Sequence, residues 1–210
     1  MIQELEKYLQ DRLAQELPGD YAHQQMMAQP IGKRFKMQYE KPPRRGAVMI
    51  ALYPDQGKIY FPLMQRQPYE GVHGGQVSLP GGKMEETDND LIETAIRETF
   101  EEIGVSISDN QVIGSLSDLN VTASNFIVKP VVSILNQKPN FVSDPREVEQ
   151  IFKAEVQHLI DPKTLQETEL TVAQKVRLKA PFFDIEEKVV WGATAMILSE
   201  FVEILKEHYT

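Results

Sequence analysis

Residues 81–105 read GGKMEETDNDLIETAIRETFEEIGV, and the reading of this stretch decides the fold. Its spacing predicts a helix from about Asp88 to Ile103, closed by Gly104 in a left-handed turn. Glu98, Glu101 and Glu102 stand at i, i+3 and i+4 and share one face of that helix. Like charges at this spacing repel, so stability does not favour the arrangement. A hard divalent cation such as Mg2+ does, because it prefers carboxylate oxygens. At about 100° per residue, Glu102 lies about 40° to one side of Glu98 and Glu101 about 60° to the other. Ile92, Ile96, Phe100 and Ile103 fall opposite, within roughly 120–200°. The expectation is a helix that packs this apolar side on a sheet and turns its carboxylates toward solvent or a cleft. Arg97, four residues from both Glu93 and Glu101, is placed to hold a carboxylate or to tie the helix to its turn. Taken alone, the three glutamates also read as a solvated acidic face.

Upstream, Pro80-Gly81-Gly82 is a turn signal. AVMIALY after Gly46 reads as a buried strand, and KIYFPLMQR as its hairpin partner across Pro54–Gly57. Downstream, Gln111–Leu116, Phe126–Leu135, Glu155–His158 and Lys188–Trp191 are strand candidates, and Thr194–Glu207 is a closing helix. Strands mixed with helices predict α/β or α+β layers. Residues 2–17 carry Ile2, Leu5, Leu9, Leu13 and Leu17 at helical spacing, ended by Pro18-Gly19. Residues 20–45 read as a linker or wrapping arm whose basic close, Lys41 to Arg45, is a solvated loop. The division is a helix and arm over 1–45 and a domain over 46–210.

Composition narrows the function classes. With 210 residues, one compact domain with an appendage is expected. A net charge of −9 opposes non-specific binding to nucleic acid. No apolar run approaches the roughly 18 residues of a membrane span, and the acidic N-terminus is unlike a secretory signal. The absence of cysteine excludes disulfides and thiolate metal sites. These features fit a cytoplasmic protein acting on a small molecule. Gly82-Lys83 lacks P-loop spacing, Asp88-Asn89-Asp90 lacks the EF-hand glycine, and no HExxH occurs.

The segment around the helix resembles the Nudix box, G-x5-E-x7-R-E-U-x-E-E-x-G-U, with U bulky and apolar. Gly82, Arg97, Glu98, Glu101, Glu102, Gly104 and Val105 match. Asp88 stands in place of the early glutamate, with eight residues and not seven between it and Arg97, and Thr99 occupies an apolar position. The resemblance implies a mixed β-sheet sandwiched between helices and hydrolysis of a diphosphate linked to another moiety. It implies that Glu98, Glu101 and Glu102 bind Mg2+ or Mn2+, that Arg97 orients a glutamate, and that Gly81 and Gly82 bend around the site. Metals of this kind neutralise pyrophosphate charge and activate water. One glutamate then takes the proton, and Glu147 is an outside candidate for that role.

A narrower resemblance joins it. Residues 63–82, LMQRQPYEGVHGGQVSLPGG, are similar to the signature preceding the box in coenzyme A pyrophosphatases. Arg66, Gly75, Pro80, Gly81 and Gly82 match, as does His73-Gly74-Gly75-Gln76. SNFIVKPVV (124–132) and VWGATA (190–195) look like further elements of that subfamily. Gln67, Leu79 and Gly71 depart from its pattern, Gly71 replacing a second arginine. The implied substrate is coenzyme A or a derivative, with Arg66, His73, Gln76, Gly81 and Gly82 as substrate contacts. Arg66 also reads as a structural ion pair, Gln76 as a loop brace and Trp191 as core. ADP-ribose or a dinucleotide polyphosphate is the alternative substrate class, and a non-catalytic nucleotide-binding module the alternative role. The family includes homodimers, and a dimer is compatible with the resemblance.

Overall fold

The computed structural model describes residues 2–32, 39–68, 74–172 and 176–209. The chain runs α1 (Ile2–Leu13), α2 (Asp20–Gln25), β1 (Gln29–Pro30), β2 (Arg44–Asp55), β3 (Lys58–Arg66), β4 (Val77–Ser78) and β5 (Gly81–Lys83). It continues with α3 (Leu91–Ile103), β6 (Val112–Ser115), β7 (Leu119–Val121), β8 (Phe126–Ile134), β9 (Val148–Glu155) and α4 (Val156–Ile160). It closes with β10 (Leu165–Val172), β11 (Val176–Ile185), β12 (Lys188–Trp191) and α5 (Gly192–Tyr209).

β2 is the axis of an eight-stranded mixed sheet. It pairs antiparallel with β3 through the expected hairpin, antiparallel with β5, and parallel with β8. Alternation along β2 sends its side chains to two cores. Ile50 and Leu52 join Phe61, Leu63, Phe201 and Leu205 on the α5 side. Ala47, Met49, Ala51 and Tyr53 join Leu91, Ala95 and Ile103 on the α3 side. The sheet is therefore sandwiched between helices, as expected. A second, four-stranded sheet holds β1, β10, β11 and β12.

Leu5, Leu9 and Met26 belong to the α5-side core and are at most 1% exposed. Helices α1 and α2 thus pack into this core. A polar latch fixes α2 there: Glu200 of α5, fully buried, accepts hydrogen bonds from the Gly19 N–H (2.9 Å) and Ser117 Oγ (2.6 Å) and lies 3.1 Å from His23 Nε2. Burial acts to raise the Glu200 carboxyl, but the bonds from His23, Ser117 and Gly19 outweigh it and hold the group low.

Several expectations are corrected. Residues 156–158 begin α4 and are not a strand, which ends at Glu155. The first helix stops at Leu13, short of Leu17. Gly81-Gly82 is a short strand, β5, and not only a turn. No helix among the described residues is long and apolar enough to cross a membrane.

Candidate active site

The central helix α3 starts where Asp90 accepts the N–H groups of Ile92 and Glu93 at 2.8 and 2.9 Å. It ends at Gly104, whose φ of 70° and N–H bond to the Phe100 carbonyl form the expected left-handed cap. Its orientation differs from the helical-wheel expectation. The buried residues are Leu91, Thr94, Ala95, Thr99, Glu102 and Ile103, while Phe100 is 57% exposed. The packing face is centred on the small residues Ala95 and Thr99, which let the helix approach β2 and β5 closely. Glu98 and Glu102 therefore point at the sheet, and Glu101 remains the most exposed of the three, its side chain at 55%.

The sheet accommodates them with glycine. Gly81 has φ 149° and lies so close to β2 that a Cβ would sit 2.2 Å from the Ala47 carbonyl oxygen. A Cβ on Gly82 would meet the Glu98 carboxyl at 2.5–2.6 Å. The Gly81 N–H donates to Glu102 Oε2 at 2.7 Å. The glycine pair thus seats both carboxylates against the strand edge.

Two guanidinium groups hold the acids. Arg97 donates through Nε and Nη2 to both Asp88 oxygens (2.8 and 2.9 Å), and through Nη1 to Glu98 Oε1 (3.0 Å) and Glu101 Oε2 (3.1 Å). Asp88 also accepts from Thr94 Oγ1 and the Glu85 N–H. The Arg97 bonds hold its carboxyl well below the usual range. Asp88 is thus an anchor for Arg97, a role its place in the motif did not disclose. Glu93, the other expected partner of Arg97, instead accepts from Asn89.

Arg66, at the end of β3, donates to Glu102 Oε1 at 3.1 Å and comes within 3.6 Å of Glu147 Oε2. Glu147 is thereby brought to the edge of the site on the loop before β9. Burial pushes the Glu102 carboxyl up to about 8, opposed by Arg66 and the Gly81 N–H and assisted by the Glu98 and Glu147 charges. Glu98 is raised for the same first reason, against the pull of Arg97.

These acids fit a divalent cation in chemistry: hard oxygen donors, Glu98 and Glu102 largely desolvated and Glu101 and Glu147 open to solvent, with five carboxylates, Asp88 included, against two arginines. Among the described residues they do not form a ready-made cage of three ligands. Arg97 bridges Glu98 and Glu101, and Arg66 lies between Glu102 and Glu147.

The glycine edge opens into a cleft of about 250 Å³. Arg66, Gln76, Gly81 and Gly82 are among the residues that line it. The Gln76 carbonyl accepts the Arg66 N–H at 3.0 Å, so Gln76 braces the loop as well as lining the cleft. Trp191, expected in the core, is only part-buried and also lines the cleft. His73 and Gly71 lie outside the described residues.

The fold agrees with sequence comparison. A NUDIX domain model matches residues 42–189, and the chain belongs to the Nudix family. It is 35% identical over 173 residues to "Nudix hydrolase 15, mitochondrial" of Arabidopsis thaliana, covering 79% of this chain and 60% of that protein. It is 27% identical over 177 residues to "Uncharacterized Nudix hydrolase NudL" of Photorhabdus laumondii, covering 81% and 93%. The chain thus spans well under two thirds of the plant relative and nearly all of the bacterial one. Its fold is similar to that of a MutT/nudix family protein from Enterococcus faecalis, with TM-score 0.55 at 15% identity, covering 96% of this chain and 74% of that one. It is also similar to the NUDIX domain of Shewanella oneidensis NrtR complexed with ADP ribose, with TM-score 0.54 at 12% identity, covering 81% and 90%.

Proposed function

We propose that this chain is a divalent-metal-dependent pyrophosphatase that cleaves the diphosphate linkage of coenzyme A or a derivative. The observation that carries this reading is the contact of Gly82 with the Glu98 carboxyl. Gly82, next to Glu98, and Arg66, bonded to Glu102, both line the cleft and so link it to the acids of α3. A phosphate entering there meets the Gly81–Gly82 backbone and a guanidinium before it meets solvent. Glu98, Glu101 and Glu102 are the residues to hold Mg2+ or Mn2+. Such an ion, when bound, neutralises phosphate charge and lowers the pKa of a coordinated water.

The protein's own groups account for the rest. Arg97, anchored by Asp88, orients Glu98 and Glu101. Arg66 is a natural fork for a phosphate oxygen, and exchanges its Glu102 contact for it. Glu147, exposed and 3.6 Å from Arg66, is positioned to accept the proton of the attacking water. Water adds to one phosphorus, the bridging P–O bond breaks, and two phosphate monoesters leave. From coenzyme A these are an adenosine bisphosphate and phosphopantetheine. Coenzyme A is favoured by the paired signatures at 63–82 and 190–195. The departure at Gly71 keeps ADP-ribose and dinucleotide polyphosphates as the second reading. A cytoplasmic setting fits the cysteine-free composition.

The test is a panel of coenzyme A, ADP-ribose and a diadenosine polyphosphate, incubated with Mg2+, Mn2+ or EDTA and read by mass spectrometry. Metal-dependent conversion of coenzyme A to the two monoesters is expected. Intact coenzyme A beside a cleaved alternative moves the substrate assignment. No cleavage of any diphosphate refutes the reading and favours a binding module.

A further inference from the structure

The cleft lined by Gly81 and Gly82 also has apolar and aromatic lining. Val121, Phe126, Val128, Trp191 and Ile197 supply it. Trp191 and Ile197 lie beyond residue 189, where the family match stops. Val121, Phe126 and Val128 lie inside the matched stretch, so the wall joins residues from within it and beyond it. Trp191 is the last residue of β12, paired with Phe182 of β11, and the chain turns at once into α5. Phe126 opens β8, and the Arg44 guanidinium covers its ring at 4.1 Å from the centroid. Ser78, Ser124 and Thr194 are the small polar side chains in the same lining. Thr194 Oγ1 already donates to the Val77 carbonyl at 3.2 Å.

We propose that Trp191 is a substrate-binding residue whose indole, with Phe126, receives the nucleobase of the diphosphate ester. The proposal rests on the diphosphate-cleaving function above. A ligand with its phosphates beside Gly81, Gly82 and Arg66, which line the cleft, can send one ester-linked group along it. A flat heteroaromatic ring satisfies an apolar, aromatic wall by stacking and can keep its polar edge toward the cleft mouth. An amide-bearing chain such as phosphopantetheine would place N–H and C=O groups against Val121, Val128 and Ile197, which offer no partners, and burying them unpaired is costly. The cleft volume of about 250 Å³ is below the roughly 300–1,000 Å³ that encloses a whole drug-sized ligand. One half of the substrate enters, and the other leads out to solvent.

The chain contains one tryptophan, so its intrinsic fluorescence reports on this wall alone. Full-length protein with Mg2+ is titrated with AMP, 4′-phosphopantetheine and inorganic phosphate, none of which contains a diphosphate. AMP is expected to change the emission saturably, at a concentration at least about tenfold below either other probe. Unchanged emission with AMP overturns the proposal. Tighter saturation by phosphopantetheine also overturns it, by assigning the wall to the other half of the substrate. On a substrate the wild type cleaves, Trp191→Ala should raise KM about tenfold and Trp191→Phe less than about threefold. An unmoved KM in Trp191→Ala contradicts the assignment. A wild type that cleaves no diphosphate refutes the parent function instead, and the AMP titration still decides the wall.

Discussion

Replacing Gly82 with alanine separates the site from the fold. The added Cβ would lie 2.5 Å from the Glu98 carboxyl, against about 3.4 Å for an ordinary contact. The carboxyl must therefore retreat by about 1 Å, enough to lose its 3.0 Å bond from Arg97. The group that moves is the far end of a flexible side chain, so the stability cost is about 1 kcal/mol or less, at the low end of overpacking. A Tm change of about 2–4 °C at most follows. Misplacing a reacting group by about 1 Å costs on the order of 100-fold in rate. Gly82→Ala should thus keep its fold and lose about 100-fold in kcat/KM. Gly81→Ala is the contrast. Its Cβ meets backbone, 2.2 Å from the Ala47 oxygen and 2.5 Å from the Val48 Cα, at φ 149°. Backbone cannot yield cheaply, so about 3 kcal/mol and about 6–12 °C of Tm are lost. Thermal melts and kcat/KM on the best substrate read both variants. Turnover of Gly82→Ala within about threefold of wild type would refute the placement of Glu98, as would a destabilisation equal to that of Gly81→Ala.

Other predictions follow from buried charge and from packing. Glu102, raised to about 8, keeps a proton in the folded protein that the unfolded chain releases near the ordinary glutamate pKa of about 4.3. Metal-free protein should therefore lose stability as pH rises from about 4.3 to 8. Melts in EDTA at pH 6 and 8 should show this slope in wild type and a flatter one in Glu102→Gln or with saturating Mg2+; equal slopes throughout would count against the buried acid. Glu200→Ala strands the Gly19 N–H, Ser117 and His23 inside the protein and should cost about 3–5 kcal/mol in urea unfolding. Because Glu200 is held low, its contribution is present above the ordinary glutamate range and lost as pH falls below it. A Glu200→Ala variant equal to wild type at pH 7 removes the latch from the account. Leu9→Ala, at a fully buried position, should cost about 2–5 kcal/mol, and a cost under about 1 kcal/mol would mean α1 is not part of the core.

What the sequence discloses is mostly local. The hairpin of β2 and β3, the caps of α3 and the glycine pair at 81–82 are signalled by residues within a turn or two of the feature. The face of α3 is not. Apolar residues at 92, 96 and 100 outweigh Ala95 and Thr99 on a helical wheel, yet small residues are what let a helix close on a strand. Phe100 is exposed and Glu102 buried as a result. β10 and β11 escape notice because both carry charge, with Glu167, Glu169, Arg177 and Lys179 along the ladder. The Glu200–His23 pair spans 177 residues and has no local signal at all. Asp88 could have been found from its spacing to Arg97, nine residues along the turn, had the motif departure been read as an anchor. Trp191 gave no hint of the cleft, since a strand end followed by a helix is usually core.

The account turns on the α3 carboxylates acting on a diphosphate with a divalent ion. The most direct measurement compares wild type and Glu98→Gln on coenzyme A, with Mg2+ or with EDTA, following both monoester products by mass spectrometry. Melting curves confirm that both proteins are folded. Wild type with Mg2+ should release the two products in equal amounts, EDTA should abolish release, and Glu98→Gln should slow it about 100-fold or more. Glu98→Gln or EDTA-treated protein working at the wild-type rate would contradict the central claim.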